Sequence, residues 1–234
     1  MMKKTLLTIA SAVVAMTATA QVQLNANNID EVIAAMTVEE KVDLLIGCGQ
    51  SLSGTEKFPG TAGRTRDIPR LGIKSAYMAD GPHRLVMAEK RAWDHRDYIT
   101  TEFPGSALCA ATFDMEAVEA VGKAIGAEVS DFGLDILLAP GENLLRSALC
   151  GRNHEYYSED PVLAGKIAAA YINGVQSNGV GACLKHFAVN NQETNRNTMD
   201  ARVSQRAMRE LYLKNFEITV KESQPWTIMT SYNK

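Results

Sequence analysis

Apolar and polar positions divide this chain into two kinds of segment. The first is a short, nearly unbroken apolar run that stops at a polar cluster. "IKSAYMADGP", "SALCAATF", "LDILLAPG", "VGACLKHF" and "WTIMTSYNK" have this form, and each is predicted to be a buried strand. The second carries apolar residues three or four apart and is predicted to be helical. In "TVEEKVDLLIGCG", Thr37 and Glu40 form a capping box and Gly47 supplies the stop. Asp114 caps a helix from Met115 to Phe132 with Val118, Val121, Ile125 and Val129 on one face, ended by Gly133. Asp160-Pro161 opens a helix through Val175. A last helix runs from Ser204 through Glu222, with Met208, Tyr212, Phe216 and Val220 on one face. Residues 48–70, rich in Gly, Ser, Thr and charge, read as a long loop.

Apolar runs alternating with helices imply an α/β fold, a parallel sheet covered on both faces. Polar groups recur just past the strands: Asp80, Glu142-Asn143, Lys185-His186 and Ser231-Tyr232-Asn233. Both a (β/α)8 TIM-type barrel and a doubly wound sheet collect ligands at the carboxyl ends of strands. The barrel is favoured, because no Gly-rich phosphate turn is present and at least four strands end in polar clusters. About five strands are predicted where a barrel has eight. The chain is therefore expected to hold about the first five βα units of an incomplete barrel.

Composition and charge narrow the function. Residues 1–20 read as a signal peptide: Lys3 and Lys4, an apolar stretch from Leu6 to Met16, then Ala18-Thr19-Ala20 at the cleavage position. The chain is expected to be exported, periplasmic or secreted. No other segment is apolar for long enough to span a membrane. A formal net charge of −3 offers no basic field for nucleic acid. The four cysteines, Cys48, Cys109, Cys150 and Cys183, form no CxxC and read as packed free thiols. The four histidines, His83, His95, His154 and His186, lack metal-ligand spacing, so neither metal nor cofactor is expected. There is no GxSxG elbow to suggest a serine hydrolase.

The strand-end groups Asp80, Arg152, Lys185, His186, Arg196 and Tyr232 form a set dense in hydrogen-bonding capacity. Such a set suits a sugar, whose hydroxyls each donate and accept, with charge-assisted bonds to adjacent hydroxyl pairs. Arg152 with Glu155 also reads as a salt-bridged loop, and Arg146 as a strut of its own loop. Lys185 and His186 after a buried strand demand partners, because a buried cation is costly alone.

"ADGPH", "APGENLLRSALCGRNHEYYSEDP", "KHFAVNNQETNR" and "TIMTSYNK" resemble, in this order, motifs of the N-terminal domain of glycoside hydrolase family 3, and of its β-glucosidase and β-xylosidase branch most closely. The resemblance runs from about Met36 to Lys234. It implies a (β/α)8-type barrel followed by an α/β sandwich domain, and hydrolysis of terminal β-linked glucosyl or xylosyl residues with retention. It further implies that Asp80, Lys185 and His186 grip hydroxyls of the sugar in the −1 subsite. Arg152 and Arg196 supply further sugar or carboxylate contacts, and Tyr232 corresponds to a tyrosine that hydrogen-bonds the catalytic carboxylate. The nucleophilic aspartate and the acid/base glutamate are expected beyond Lys234. Residues 21–234 are then the N-terminal part of the barrel domain, without the sandwich.

Two departures stand out. The family's Asp-Gly-Pro-His-Gly-Leu-Arg reads "DGPHRLV" here, with Val86 where a sugar-contacting arginine is usual, and Ala148 replaces a common proline. "KHFAVNNQE" lacks the histidine loop of the N-acetylhexosaminidase branch. The expected partner is an oligosaccharide or β-glycoside substrate, and the alternative is a non-catalytic sugar-binding or scaffold protein.

Overall fold

The computed structural model describes residues 22–49 and 57–234. The predicted signal peptide, residues 1–20, lies outside the described residues. Five strands form one sheet: β1 (Gly63–Arg64), β2 (Tyr77–Asp80), β3 (Ile136–Leu138), β4 (Gly181–Phe187) and β5 (Thr227–Thr230). They lie side by side in chain order. β2, β3, β4 and β5 pair in parallel, whereas β1 pairs antiparallel with β2 at the edge. Sequential order without reversal is what a barrel requires, and a doubly wound sheet reverses at its switch point.

Helices make the crossovers. α1 (Ile29–Ala35) and α2 (Val38–Ile46) precede the sheet. α3 (Ser106–Ala111) and α4 (Met115–Asp131) join β2 to β3, and α5 (Pro161–Gln176) joins β3 to β4. A longer path joins β4 to β5: α6 (Gln205–Ala207), a π-helical turn over Met208–Tyr212, and α7 (Lys214–Ser223). The expected single helix from Ser204 is thus interrupted by a π turn. The caps are those the sequence predicts. Thr37 Oγ1 accepts from Glu40 N while Thr37 N donates to Glu40 Oε2 at 2.9 Å. Asp114 and Asp160 accept from the first-turn amides of α4 and α5, and Ser204 from Ala207 N.

Two expectations are corrected. "SALCAATF" is not a strand but α3. It contains no β-branched residue before Thr112, and its buried Ser106, Cys109 and Ala110 fall at helical spacing. Cys109 is still buried, and all four cysteines are free thiols. The fifth strand is instead β1, two residues inside the expected 48–70 loop, so the described residues hold four parallel strands and three helical crossovers, not five βα units.

The core lies between the sheet and α4, α5 and α7, with Val118, Ile125, Val129, Leu137, Ile167, Ile172, Leu184 and Phe216 buried together. α4 and α5 cross at contact distance: a Cβ on Gly122 would sit 2.3 Å from the Tyr171 carbonyl oxygen. That approach lets both helices lie on the sheet with little space between them, fixing the strand ends where the polar residues stand. No described helix is long and apolar enough to cross a membrane.

Candidate active site

β4 sets the centre of the site. Gly181 through His186 are all buried, because β4 has a strand on each side and helices behind it. The polar pair Lys185-His186 therefore enters a dry environment, each residue 3 % exposed. The backbone here is held from two directions. Lys185 N donates to Pro140 O at 3.0 Å, Glu142 N donates to Lys185 O at 2.8 Å, and Ser231 N donates to Phe187 O at 2.7 Å. The side-chain amide of Asn143 closes on the next residues, accepting from His186 N at 2.9 Å and donating to His186 O at 2.9 Å and Ala188 O at 2.6 Å. The Ala139-Pro140, Lys185-His186 and Phe187-Ala188 peptide bonds are cis.

The Lys185 ammonium lies 3.1 Å from Glu155 Oε2, and Glu155 Oε1 takes the Arg152 guanidinium. Glu155 is only 2 % exposed. Burial alone would raise its carboxyl, but Lys185 and then Arg152 outweigh that and hold it below the usual carboxylate range. A second carboxylate extends the network: Glu193 pairs with Arg196 at 2.8 Å, lies 4.0 Å from Arg152, and accepts from Asn190 Nδ2 at 3.1 Å. These are short-range pairs within turns: Arg152 and Glu155 flank a single 3-10 turn, and Glu193 and Arg196 are three residues apart.

His186 is held neutral. Burial first, then the positive charges of Arg152 and Lys185, pull its imidazole down to about 3. Tyr156 Oη accepts from Asn190 Nδ2 at 3.1 Å and lies 3.2 Å from His186 Nδ1, which fixes the position of the ring.

One pocket of about 530 Å³ brings together all six sequence-derived residues, Asp80, Arg152, Lys185, His186, Arg196 and Tyr232. It also takes in His154, Glu155, Glu193, Val86, Leu138 and Met229. The Asp80 carboxylate forms no hydrogen bond or ion pair with another described residue. Tyr232 is 61 % exposed, with the Arg196 guanidinium 5.0 Å from its ring centroid. Val86 forms part of the wall, while Arg84 points to Glu102 at 3.6 Å and is not among the lining residues, so Arg84 does not fill the place of the missing arginine. Arg146 lies outside this pocket, 6.0 Å from the Tyr212 ring centroid. Asn143 was read only as one of the polar residues past a strand, and its clamp on residues 186–188 gave no local signal. Tyr156 is fully buried and looks in sequence like any core aromatic.

The site is therefore a charge-rich hollow at the carboxyl ends of parallel strands. It has donors from Lys185, Arg152 and Arg196, the His186 ring, an Asp80 carboxylate without a partner among the described residues, and one apolar wall. It can take a small polyhydroxylated ring, binding hydroxyls with charged groups and ring C–H faces with Val86, Leu138 and Met229.

Comparison with known proteins agrees with this geometry. The glycosyl hydrolase family 3 N terminal domain matches residues 75–234. Thermostable beta-glucosidase B of Acetivibrio thermocellus is 46% identical over 210 residues, covering 88% of this chain and 26% of that protein. Exo-alpha-(1->6)-L-arabinopyranosidase of Bifidobacterium longum is 42% identical, covering 85% of this chain and 25% of that protein. The structure of beta-glucosidase 3B from Thermotoga neapolitana in complex with glucose superposes with a TM-score of 0.85 at 50% identity, covering 88% of this chain and 29% of that one. The chain thus spans about a quarter of the length of these relatives. With the fold, the strand-end pocket and the family match together, this chain belongs to glycosyl hydrolase family 3, whose N-terminal domain is what residues 75–234 match.

Proposed function

We propose that the complete protein is an exported, retaining exo-β-glycosidase of β-glucosidase type, acting on terminal β-linked glucosyl or xylosyl residues, and that this chain supplies its −1 subsite. The observation that carries the reading is the buried Lys185–Glu155–Arg152 chain with neutral His186 beside it, opening on the Asp80 carboxylate in one pocket. Lys185, His186 and Asp80 bind hydroxyls of the terminal sugar. Arg152 and Glu155 hold Lys185 in place, and Arg196 extends the donor set. Tyr232 stands at the end of β5, where it braces a catalytic carboxylate.

Retention needs two carboxyls about 5–5.5 Å apart, one as nucleophile and one as acid/base. Glu155 fits neither role: two cations hold it ionised, so it has no proton to give, and both its oxygens are engaged. Glu193 is engaged by Arg196 and Asn190. In this reading both reacting carboxyls come from parts of the protein outside this chain. No described group of three or more His, Cys, Asp or Glu is placed to hold a metal ion.

The test is to express the complete chain as its gene encodes it and assay aryl β-glucosides, β-xylosides and α-L-arabinopyranosides, following anomeric configuration by NMR. Release of the β-anomer first from a β-glucoside or β-xyloside supports the reading. A folded full-length protein that is inert on every substrate of the panel overturns it, and saturable glucose binding by that inert protein would assign a sugar-binding role instead.

A further inference from the structure

Beneath the pocket lies a carboxyl that the proposed reaction does not use. Glu142 follows β3 and is 0 % exposed. Its main chain belongs to the site: Glu142 N donates to Lys185 O at 2.8 Å, and the next residue, Asn143, clamps His186. Its side chain turns the other way, toward the helices. Glu142 Oε2 is 2.7 Å from Thr219 Oγ1 on α7, and Thr219 Oγ1 is also 3.1 Å from the Gly165 carbonyl oxygen on α5. Asn215 of α7 donates to the Glu142 carbonyl. The helices meet closely enough for this only because residue 165 is glycine: a Cβ there would lie 2.9 Å from Asn215 O.

Counting protons decides the state of the acid. Thr219 has one hydroxyl proton and faces two oxygens. Were Glu142 ionised, its carboxylate and the Gly165 carbonyl would compete for that proton. Glu142 Oε1, which has no partner among the described residues, would be a bare buried charge. Among the described residues no cation pairs with it. The titratable group facing it from the following loop is Tyr157, itself buried and neutral. α5 and α7 present Gly165, Asn215 and Thr219, while Lys166 and Glu222 pair with each other in solvent at 2.6 Å. Lys185 meets Glu142 through its main chain and sends its ammonium to Glu155. With the acid protonated, Glu142 donates to Thr219 and Thr219 donates to Gly165, and Oε1 remains as an uncharged carbonyl.

We infer that Glu142 is a neutral carboxylic acid whose proton ties the end of β3 to α5 and α7, making it a positioning residue for the Lys185-His186 strand end. Burial pushes its carboxyl well above the usual carboxylate range, in the same direction. The unfolded chain releases this proton near the ordinary glutamate value, while the folded chain keeps it, so this residue's contribution to stability is greatest at acid pH and declines as pH rises through neutrality. Glutamine can donate to Thr219 in the same geometry without a charge to lose.

The experiment is infrared difference spectroscopy of the complete chain, native against Glu142→Gln, at neutral pH, with thermal melts of both across pH 5 to 8. Expected are a protonated-acid carbonyl stretch in the native protein that Glu142→Gln removes, and a melting advantage for Glu142→Gln that widens with pH. Glu142→Ala, with no donor, lowers kcat/KM by about tenfold or more, and Glu142→Gln recovers most of that loss. An unchanged acid-carbonyl region together with a pH-independent stability gap overturns the inference. The spectral and thermal arms stand whether or not the protein proves to be a glycosidase.

Discussion

The carboxyl ends of β4 and β5 open on the same pocket, and they are built in opposite ways. At the end of β4, Lys185 and His186 are each 3 % exposed, the Lys185 backbone is bonded to the segment just past β3 and paired with β5, and both side-chain polar atoms of Asn143 are spent on residues 186–188. At the end of β5, the residues alternate between half-buried and exposed, and Tyr232 is 61 % exposed, with the Arg196 guanidinium against its ring. β4 lies between two parallel strands, whereas β5 pairs with β4 alone among the described residues. A strand end becomes a precise site when neighbours on both sides determine its backbone. The chemistry written into "LKHF" is therefore held from both sides, whereas that of "TSYN" is held from one side among the described residues.

Breaking the β4 side gives the largest effects. Glu155→Ala strands the buried Lys185 ammonium and Arg152 guanidinium, and is expected to cost about 3–5 kcal/mol of stability, measured by urea unfolding of the complete chain. Asn143→Ala leaves the buried His186 amide without its acceptor and is expected to cost about 1–3 kcal/mol, with a rise in KM for the substrate. A loss below about 0.5 kcal/mol would mean that the clamp does not hold the strand end.

Acid sharpens the contrast. The unfolded His186 takes a proton near 6.5, whereas the folded ring resists until about 3, so stability is complete above the first value and falls as pH drops toward the second. The depressed Glu155 carboxyl acts in the same direction below its ordinary value. Melts of native and His186→Asn protein between pH 7 and 4 should converge as the native protein loses this advantage. A constant gap would mean that His186 is not held neutral. On the β5 side, Tyr232→Phe is expected to change stability by less than about 0.5 kcal/mol.

Much of this was legible in the sequence, and the exceptions have physical causes. The strand-end residues could be read because an unbroken apolar run that ends in Lys-His has to bury charge and therefore has to pair it. "SALCAATF" misled because an Ala-rich run of that length is equally apolar as strand or helix, and only its lack of β-branched residues separates the two. Glu142 was visible only as a polar residue after a strand. Its partners Gly165, Asn215 and Thr219 lie 23 to 77 residues away, and no local pattern announces a contact made by helix packing.

The central claim is that Lys185, fixed by Glu155, binds a hydroxyl of the sugar undergoing glycosyl transfer. It is tested most directly by kcat/KM for Lys185→Ala against the native complete chain on an aryl β-glucoside and an aryl β-xyloside. Charged hydrogen bonds in a dry site contribute about 1.5–3 kcal/mol each and tighten as the ring distorts, so a fall of about 100-fold or more is expected on the preferred substrate. A folded Lys185→Ala protein whose kcat/KM stays within about threefold of native on both substrates would contradict the account.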